Sequence, residues 1–466
     1  MKRDKVLDYL LVIVVLFVFI IPFMKLFIRS FGGDGIINYS KIFSDKRILK
    51  GIINTFIIGI TSSILTLTVG SYLAFIIAYT NIRFKSILKI LVYLPFIVPS
   101  YIMTLAWTNI TSSVGIVTKI LTALGLKAIN LYSMGGIIFL MIVCYTPFVY
   151  LSVYRSLIKV PQSHEYASKL LNYGSFETFK NINLKQITPT LVSTFVLVFL
   201  SSLDNFSIPA FLGVPAGISV LSTLIYEKTI SISTGGFTDP AVLSALLFII
   251  SVSVSGIESS IISRSRTGKD SSEDTNIRYS FKPSIRKIIE VLTFVIFIFI
   301  NIVPIGFMIY SALVANYVSG FSFSNFSLNN YKLLFSISSI KMSIINSISY
   351  AIITVVVCGI LSIFYAYFKW KNKFSVSISL LEKATSISYS LPGMVLALCM
   401  IFHWANPIPG LDIGFYASPI IILIAYVVQG SAASQSRNWG MFTAKWILRV
   451  LLYFPGCCPF YTDWLF

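Results

Sequence analysis

Long apolar runs separated by short basic segments dominate this sequence, and they leave few solvents in which the chain could fold. A hydrocarbon layer about 30 Å thick is crossed by about 20 apolar residues in a helix. Within it each segment must satisfy its own backbone polar groups, which favours helices. The short alternating segments of a membrane β-barrel are missing. The sequence therefore predicts an all-α, polytopic transmembrane bundle with helices near residues 7–28, 52–80, 87–110, 136–154, 187–206, 240–262, 288–312, 342–368, 376–404 and 417–428. The first run is too long for the apolar core of a signal peptide and lacks a small-residue cleavage site, so it reads as an uncleaved anchor.

Of the 466 residues only 11% are charged, against about 25% in a soluble domain. The net charge of +19 does not point to nucleic acid, because the basic residues sit in short segments between apolar runs. There they set orientation by the positive-inside rule. Placing Lys2, Arg3 and Lys5 in the cytoplasm puts segments 81–86, 155–186, 263–287 and 369–375 on the same side, and together with the N-terminus these carry more than half of the Lys and Arg. The segment 29–50, with five basic residues outside, fits this less well. Cys144, Cys358 and Cys399 lie in apolar runs and read as small buried hydrophobes, while Cys457 and Cys458 are adjacent and suit neither a ligand pair nor a structural disulfide. The two histidines, His164 and His403, have no neighbouring Cys or carboxylate cluster. No Gly-Lys-Ser/Thr phosphate loop is found. The expectation is no enzyme, no cofactor and no metal site, with any ATP hydrolysis in a separate subunit.

Residues 263–287 are rich in Ser and charge and read as a flexible cytoplasmic linker between two halves. The halves echo each other. Asn54-Thr55 and Asn346-Ser347 open long apolar runs 292 positions apart; Val98-Pro99-Ser100 and Leu391-Pro392-Gly393 follow at an offset of 293. A general likeness among membrane helices is the alternative. The domain reading is 1–50 anchor and external loop, 51–262 first repeat, 263–287 linker, 288–428 second repeat, and 429–466 an atypical tail.

Residues 155–190 are too polar to span and too long for a turn. Pro161-Gln162-Ser163 suits a helix start with Ser163 as N-cap and Glu165 in the first turn. The run 166–173 should form a short helix ended by Gly174, with a second helix over 176–184. In Glu165, Ala167 and Gly174, then Ile182 and Leu184, this loop resembles the Glu-Ala-Ala loop of binding-protein-dependent ABC importer permeases. Departures are Tyr166 between Glu165 and Ala167, a late Gly174, and Lys185 where the family carries proline. The resemblance implies a type I (MetI-like) permease of about 12 helices, about 10 of them present here, in the bacterial inner membrane. It implies that the loop couples to a cytoplasmic ABC ATPase, in two copies, while an extracytoplasmic binding protein delivers substrate. An ordinary amphipathic loop helix is the plainer reading.

Asp204, Phe206 and Pro209, followed by Phe211-Leu212-Gly213, resemble a segment of ferric-iron-type permeases. An acidic residue at a membrane helix end marks either a translocation pathway or a hydrated interface. The fused two-repeat layout is similar to that of ferric-iron, thiamine and aminoethylphosphonate permeases, which makes ferric iron the expected cargo. An ion- or proton-coupled secondary transporter is the alternative; the scarcity of mid-helix ionisable groups speaks against it. The repeat predicts a second coupling loop near residue 458, where the sequence instead reads CCPFYTDWLF. A frameshift or truncation near residue 429 is the expectation, and with it little ATP-coupled transport by this exact chain.

Overall fold

A computed structural model describes residues 12–14, 16–32, 35–113, 115–231, 237–264, 274–314, 326–371, 376–389, 391–404 and 418–433. The tail 434–466, including the site expected for a second coupling loop and the Cys457-Cys458 pair, lies outside them. Among the described residues the regular structure is helical, apart from two isolated β-bridges.

In chain order, a π-turn at Leu16–Ile20 leads into α1 (Ile21–Ser30), followed by α2 (Ile36–Ser44), α3 (Lys46–Tyr79), α4 (Lys85–Ile97), α5 (Ser100–Thr111), α6 (Ile116–Ala123) and α7 (Met134–Leu157). Then come α8 (Gln162–Leu170), α9 (Ser175–Thr178), a π-turn (Phe179–Asn183) and α10 (Leu184–Asp204). A bent pair follows: the short turns Pro209–Gly213 and Val214–Ala216, then α11 (Leu221–Ile230). The rest is α12 (Thr238–Arg264), α13 (Pro283–Phe297), α14 (Val303–Ala312), α15 (Asn329–Ser336), α16 (Ser338–Lys371), α17 (Val376–Tyr389), α18 (Gly393–Trp404) and α19 (Pro419–Ala433). Seven described segments are long and apolar enough to cross a membrane, or nine if each bent pair is one span. The apolar texture thus reads as expected, with breaks at Pro99 and Pro392.

The predicted helix 87–110 is broken, turning by 103° between α4 and the run that starts with α5. Pro99 explains it: without an N–H and with φ near −53° it leaves α4 and caps α5, whose Ile102 and Met103 N–H groups donate to the Pro99 carbonyl. The predicted helix 376–404 breaks the same way at Pro392, whose carbonyl accepts from Val395 and Leu396. The likeness extends to element lengths. α3 and α16 both have 34 residues and start 292 positions apart; α5 and α18 both have 12 and start 293 apart.

The described contacts divide into two compact units. One comprises residues 52–220 and 254–332. At its centre lies α7, with 83% of its span buried, packed against α4 and α10. Ser133 opens α7 by accepting the Gly136 N–H at 3.1 Å. In α3, Ser62, Ser63 and Thr66 each donate to a carbonyl three or four residues back, so their hydroxyls carry no unmet bond into the apolar interior. Gly59 and Gly70 of α3 allow close approach to Phe199 of α10 and Val149 of α7. α14 packs on α5, and Asn301, in the π-turn between α13 and α14, donates to the Leu91 carbonyl at 2.8 Å.

The other unit comprises residues 1–51, 221–253 and 333–466. Here α1 packs on α18, while α16, α17 and α18 gather around α19. Lys25 donates to the His403 carbonyl at 3.1 Å, near the C-terminal end of α18, where a cation meets the negative end of the helix dipole. Phe17, His403 and Trp404 form an edge-to-face ring cluster beside it.

Candidate functional site

The loop 155–190 is a helix–turn–helix whose boundaries differ from the sequence expectation. Pro161, not Ser163, is the N-cap of α8: its extended ψ of 133° places the chain for the first turn. The helix ends at Leu170, and the left-handed residue is Asn172 (φ 61°), not Gly174. Asn172 N–H donates to the Lys169 carbonyl and Tyr173 N–H to that of Ser168, the two bonds of a Schellman close. Asparagine tolerates this conformation, which frees Gly174 for another task. Gly174 starts α9 in extended conformation, its N–H donating to Glu177 Oε2 at 3.1 Å. The second helix does not stop near residue 184. It runs as one apolar span from Ser175 to Asp204, through a π-turn, with Pro189 inside α10.

Polar and apolar residues are inverted in this loop. Glu165, Ser168, Thr178 and Asn183 are buried, whereas Tyr166, Leu170, Leu171, Tyr173 and Phe176 are exposed. Leu170 and Phe176 reach 85% and 77% exposure. Inside, Glu165 Oε1 accepts from Arg278 Nη1 at 2.5 Å and from Asn183 Nδ2 at 2.6 Å. Arg278 Nη2 donates to the Val160 carbonyl, and Nη1 also to Tyr79 Oη at 3.2 Å. The guanidinium lies 4.3 Å from the Tyr79 ring centre. Tyr79 accepts from Asn183 as well and donates to the Leu157 carbonyl. Ser168 and Thr178 hydroxyls meet at 2.9 Å, joining α8 to α9.

Arg278 comes from the segment read as a flexible linker, and that reading is corrected for residues 274–282. Arg278 and Tyr279 N–H groups both donate to the Tyr79 carbonyl, and Asp274 N–H to that of Ile158. Asn81 brackets Phe281, accepting its N–H and donating to its carbonyl. α13 then starts at Pro283. Burial, with Glu165 adding to it, pushes the Tyr279 phenol up to about 12, so at neutral pH it stays a donor to the Ser175 carbonyl.

Ala167 and Ile182 line a shallow, open depression of about 420 Å³ with His164, Asn181, Lys185 and Gln186. Leu184 is exposed beside it, and His164 Nδ1 shares a 2.7 Å hydrogen bond with Gln186. Asp204, Phe206 and Pro209 sit at the other end of α10, about 30 Å away at 1.5 Å per residue. Asp204 ends the helix and is half-buried; Phe206 is half-buried, and Pro209 is buried at the start of the next turn. The bend is held by residues that sequence reasoning passed over. Asn205 donates to Tyr145 Oη and accepts the Ile208 N–H, while Tyr145 donates to the Ser201 carbonyl.

Residues 66–262 match the family described as the binding-protein-dependent transport system inner membrane component. That match contains α7 to α11, including the whole loop. Residues 66–262 are a permease domain of this family. Over 451 residues the chain is 26% identical to a ferric transport system permease protein of Haemophilus influenzae, and over 446 residues 27% identical to one of Actinobacillus pleuropneumoniae. These alignments cover 92% of this permease in both cases, and 68% and 62% of the relatives, so the chain spans about two thirds of their length. A 2-aminoethylphosphonate transport system permease protein of Salmonella typhi is 24% identical over 208 residues, 44% of this chain and 72% of the relative. Among solved structures, a bacterial alginate ABC transporter aligns with a TM-score of 0.48 and 20% identity over 57% of this chain and 95% of that one. The chain is a multi-pass inner-membrane permease of the ABC-importer kind.

Proposed function

We propose that this permease carries ferric iron, handed over by an extracytoplasmic binding protein, and that residues 155–190 are its grip on a separate cytoplasmic ATPase. The inverted loop carries the second part. A short polar helix outside every candidate span buries its carboxylate, while it and the turn after it expose Tyr166, Leu170, Leu171 and Tyr173, with Phe176 exposed at the start of the next span. Exposed apolar surface of this kind belongs against a partner. The shallow depression beside it, lined by Ala167 and Ile182, offers that partner a place to seat a side chain. The ferric part is supported by the two relatives that align along nearly all of this chain. Asp204, Phe206 and Pro209, a bilayer's thickness away from the loop, are assigned to the pathway on the opposite side.

The test is co-purification with a co-expressed ABC ATPase subunit from the same organism. Leu170→Asp with Phe176→Asp should reach the membrane at normal level and lose at least tenfold of the bound ATPase. Normal retention by that variant refutes the grip. For the cargo, ferric-loaded binding protein should stimulate the complex's ATP hydrolysis more than the iron-free form; equal rates refute ferric iron.

A further inference from the structure

The carboxylate at the centre of the loop is not on its outer face. The Glu165 side chain is 4% exposed and that of Arg278 is fully buried. Nothing of either is left for a partner outside the chain. Arg278 grips the loop at two points, Glu165 in the first turn of α8 and the Val160 carbonyl just before the Pro161 cap. The backbone around Arg278 is tied to the end of α3 at Tyr79 and to Ile158 after α7. Beyond it, the chain passes directly into α13, and Arg83 N–H donates to Glu290 on that helix at 2.6 Å. The segment between the halves is therefore built into the wall against which α8 rests.

We propose that residues 274–281 are a strap belonging to the docking apparatus, with Arg278 as the positioning residue that sets α8 through Glu165. Movement imposed on the exposed face of α8 then reaches α13 through the strap. Glu165 acts inward, as an anchor, and does not touch the motor protein. The docking half of this inference rests on the proposed function; the anchoring half does not.

Two readouts separate them. The first is hydrogen exchange of residues 162–173 in the solubilised permease without any partner. Arg278→Met strands a buried carboxylate, and removing one partner of such a pair is far more disruptive than removing both. Exchange in 162–173 should rise at least tenfold in R278M, with α7 unchanged, and fall back most of the way in the double variant Glu165→Gln with Arg278→Met. The second readout is ATPase retention, which should drop in R278M and recover in the double variant. Where R278M does not accumulate, recovery of membrane level in the double variant is the same test. Unchanged exchange in R278M, or a double variant no better than R278M, overturns the strap. Retention lost equally in Glu165→Gln alone and not recovered in the double would show Glu165 facing the motor, and also overturns it. Exchange that responds as expected in a permease retaining no ATPase at all leaves the strap standing and defeats the docking reading instead.

Discussion

Replacing Gly70 by alanine tests how tightly the helices of the first unit are set. A Cβ on Gly70 would stand 2.5 Å from both Val149 Cβ and Cγ1, and 3.0 Å from the Tyr150 nitrogen. Ordinary contact begins at 3.4 Å, so α3 and α7 must part by about 1 Å along a seam where Val149 is fully buried. A gap of that size forfeits a quarter to a half of the dispersion well for each facing atom pair, and overpacking of this kind costs about 1–3 kcal/mol. Thermal unfolding in detergent, followed by tryptophan fluorescence, should show G70A clearly less stable than wild type. Val149→Ala removes one of the two obstructing carbons, Cγ1, and keeps Cβ, so relief is partial and the double variant should lose less than the two single losses added, by about 0.5–1 kcal/mol. Gly359→Ala is the control: a Cβ there meets nothing, and the helix interior should gain about 0.5–1 kcal/mol. G70A at wild-type stability, or strict additivity with V149A, refutes the close-packing argument.

Two further perturbations report on the loop and the bend. Asn172→Gly should leave the loop unchanged, whereas Asn172→Val, forced to φ 61°, should cost about 1–2 kcal/mol locally and speed amide exchange at residues 168–173. Tyr145→Phe removes the hydroxyl shared by Asn205 and the Ser201 carbonyl, and should lower stability by about 1–3 kcal/mol. Adding Asn205→Ala also strips the Ile208 N–H of its acceptor, and should cost about a further 1 kcal/mol in the same unfolding assay.

What could be read from residues alone follows from range. Apolar length in a bilayer is a local property, so the spans at 46–79, 134–157 and 238–257 lie close to where the sequence puts them. Proline breaks are local too, yet position 99 was read as the middle of a helix because its neighbours stay apolar on both sides of the bend. The bent pair from Pro209 to Ile230 was missed for a related reason: Gly213, Pro215 and Gly217 interrupt its apolar run, so neither half reaches span length. In the loop, Glu165 and Ala167 stand out by their pattern, but no pattern gives the orientation of Glu165. Its partner Arg278 lies in a stretch whose composition says only solvated, and no short-range signal joins residues that far apart. Gly174 misled because glycine is the usual left-handed residue, and Asn172, two places earlier, does that work here.

The 113 positions between Glu165 and Arg278 set a clock on biosynthesis. At about 5–20 residues per second, the acid leaves the ribosome roughly 6–23 s before its base. Through that interval α8 has its sequence but not its anchor, and Tyr79 and Asn183 wait with it. The proposed grip on the motor is completed only when translation has passed into the opening of the second half, so a nascent chain stalled before residue 278 would present a loop that is made but not yet set.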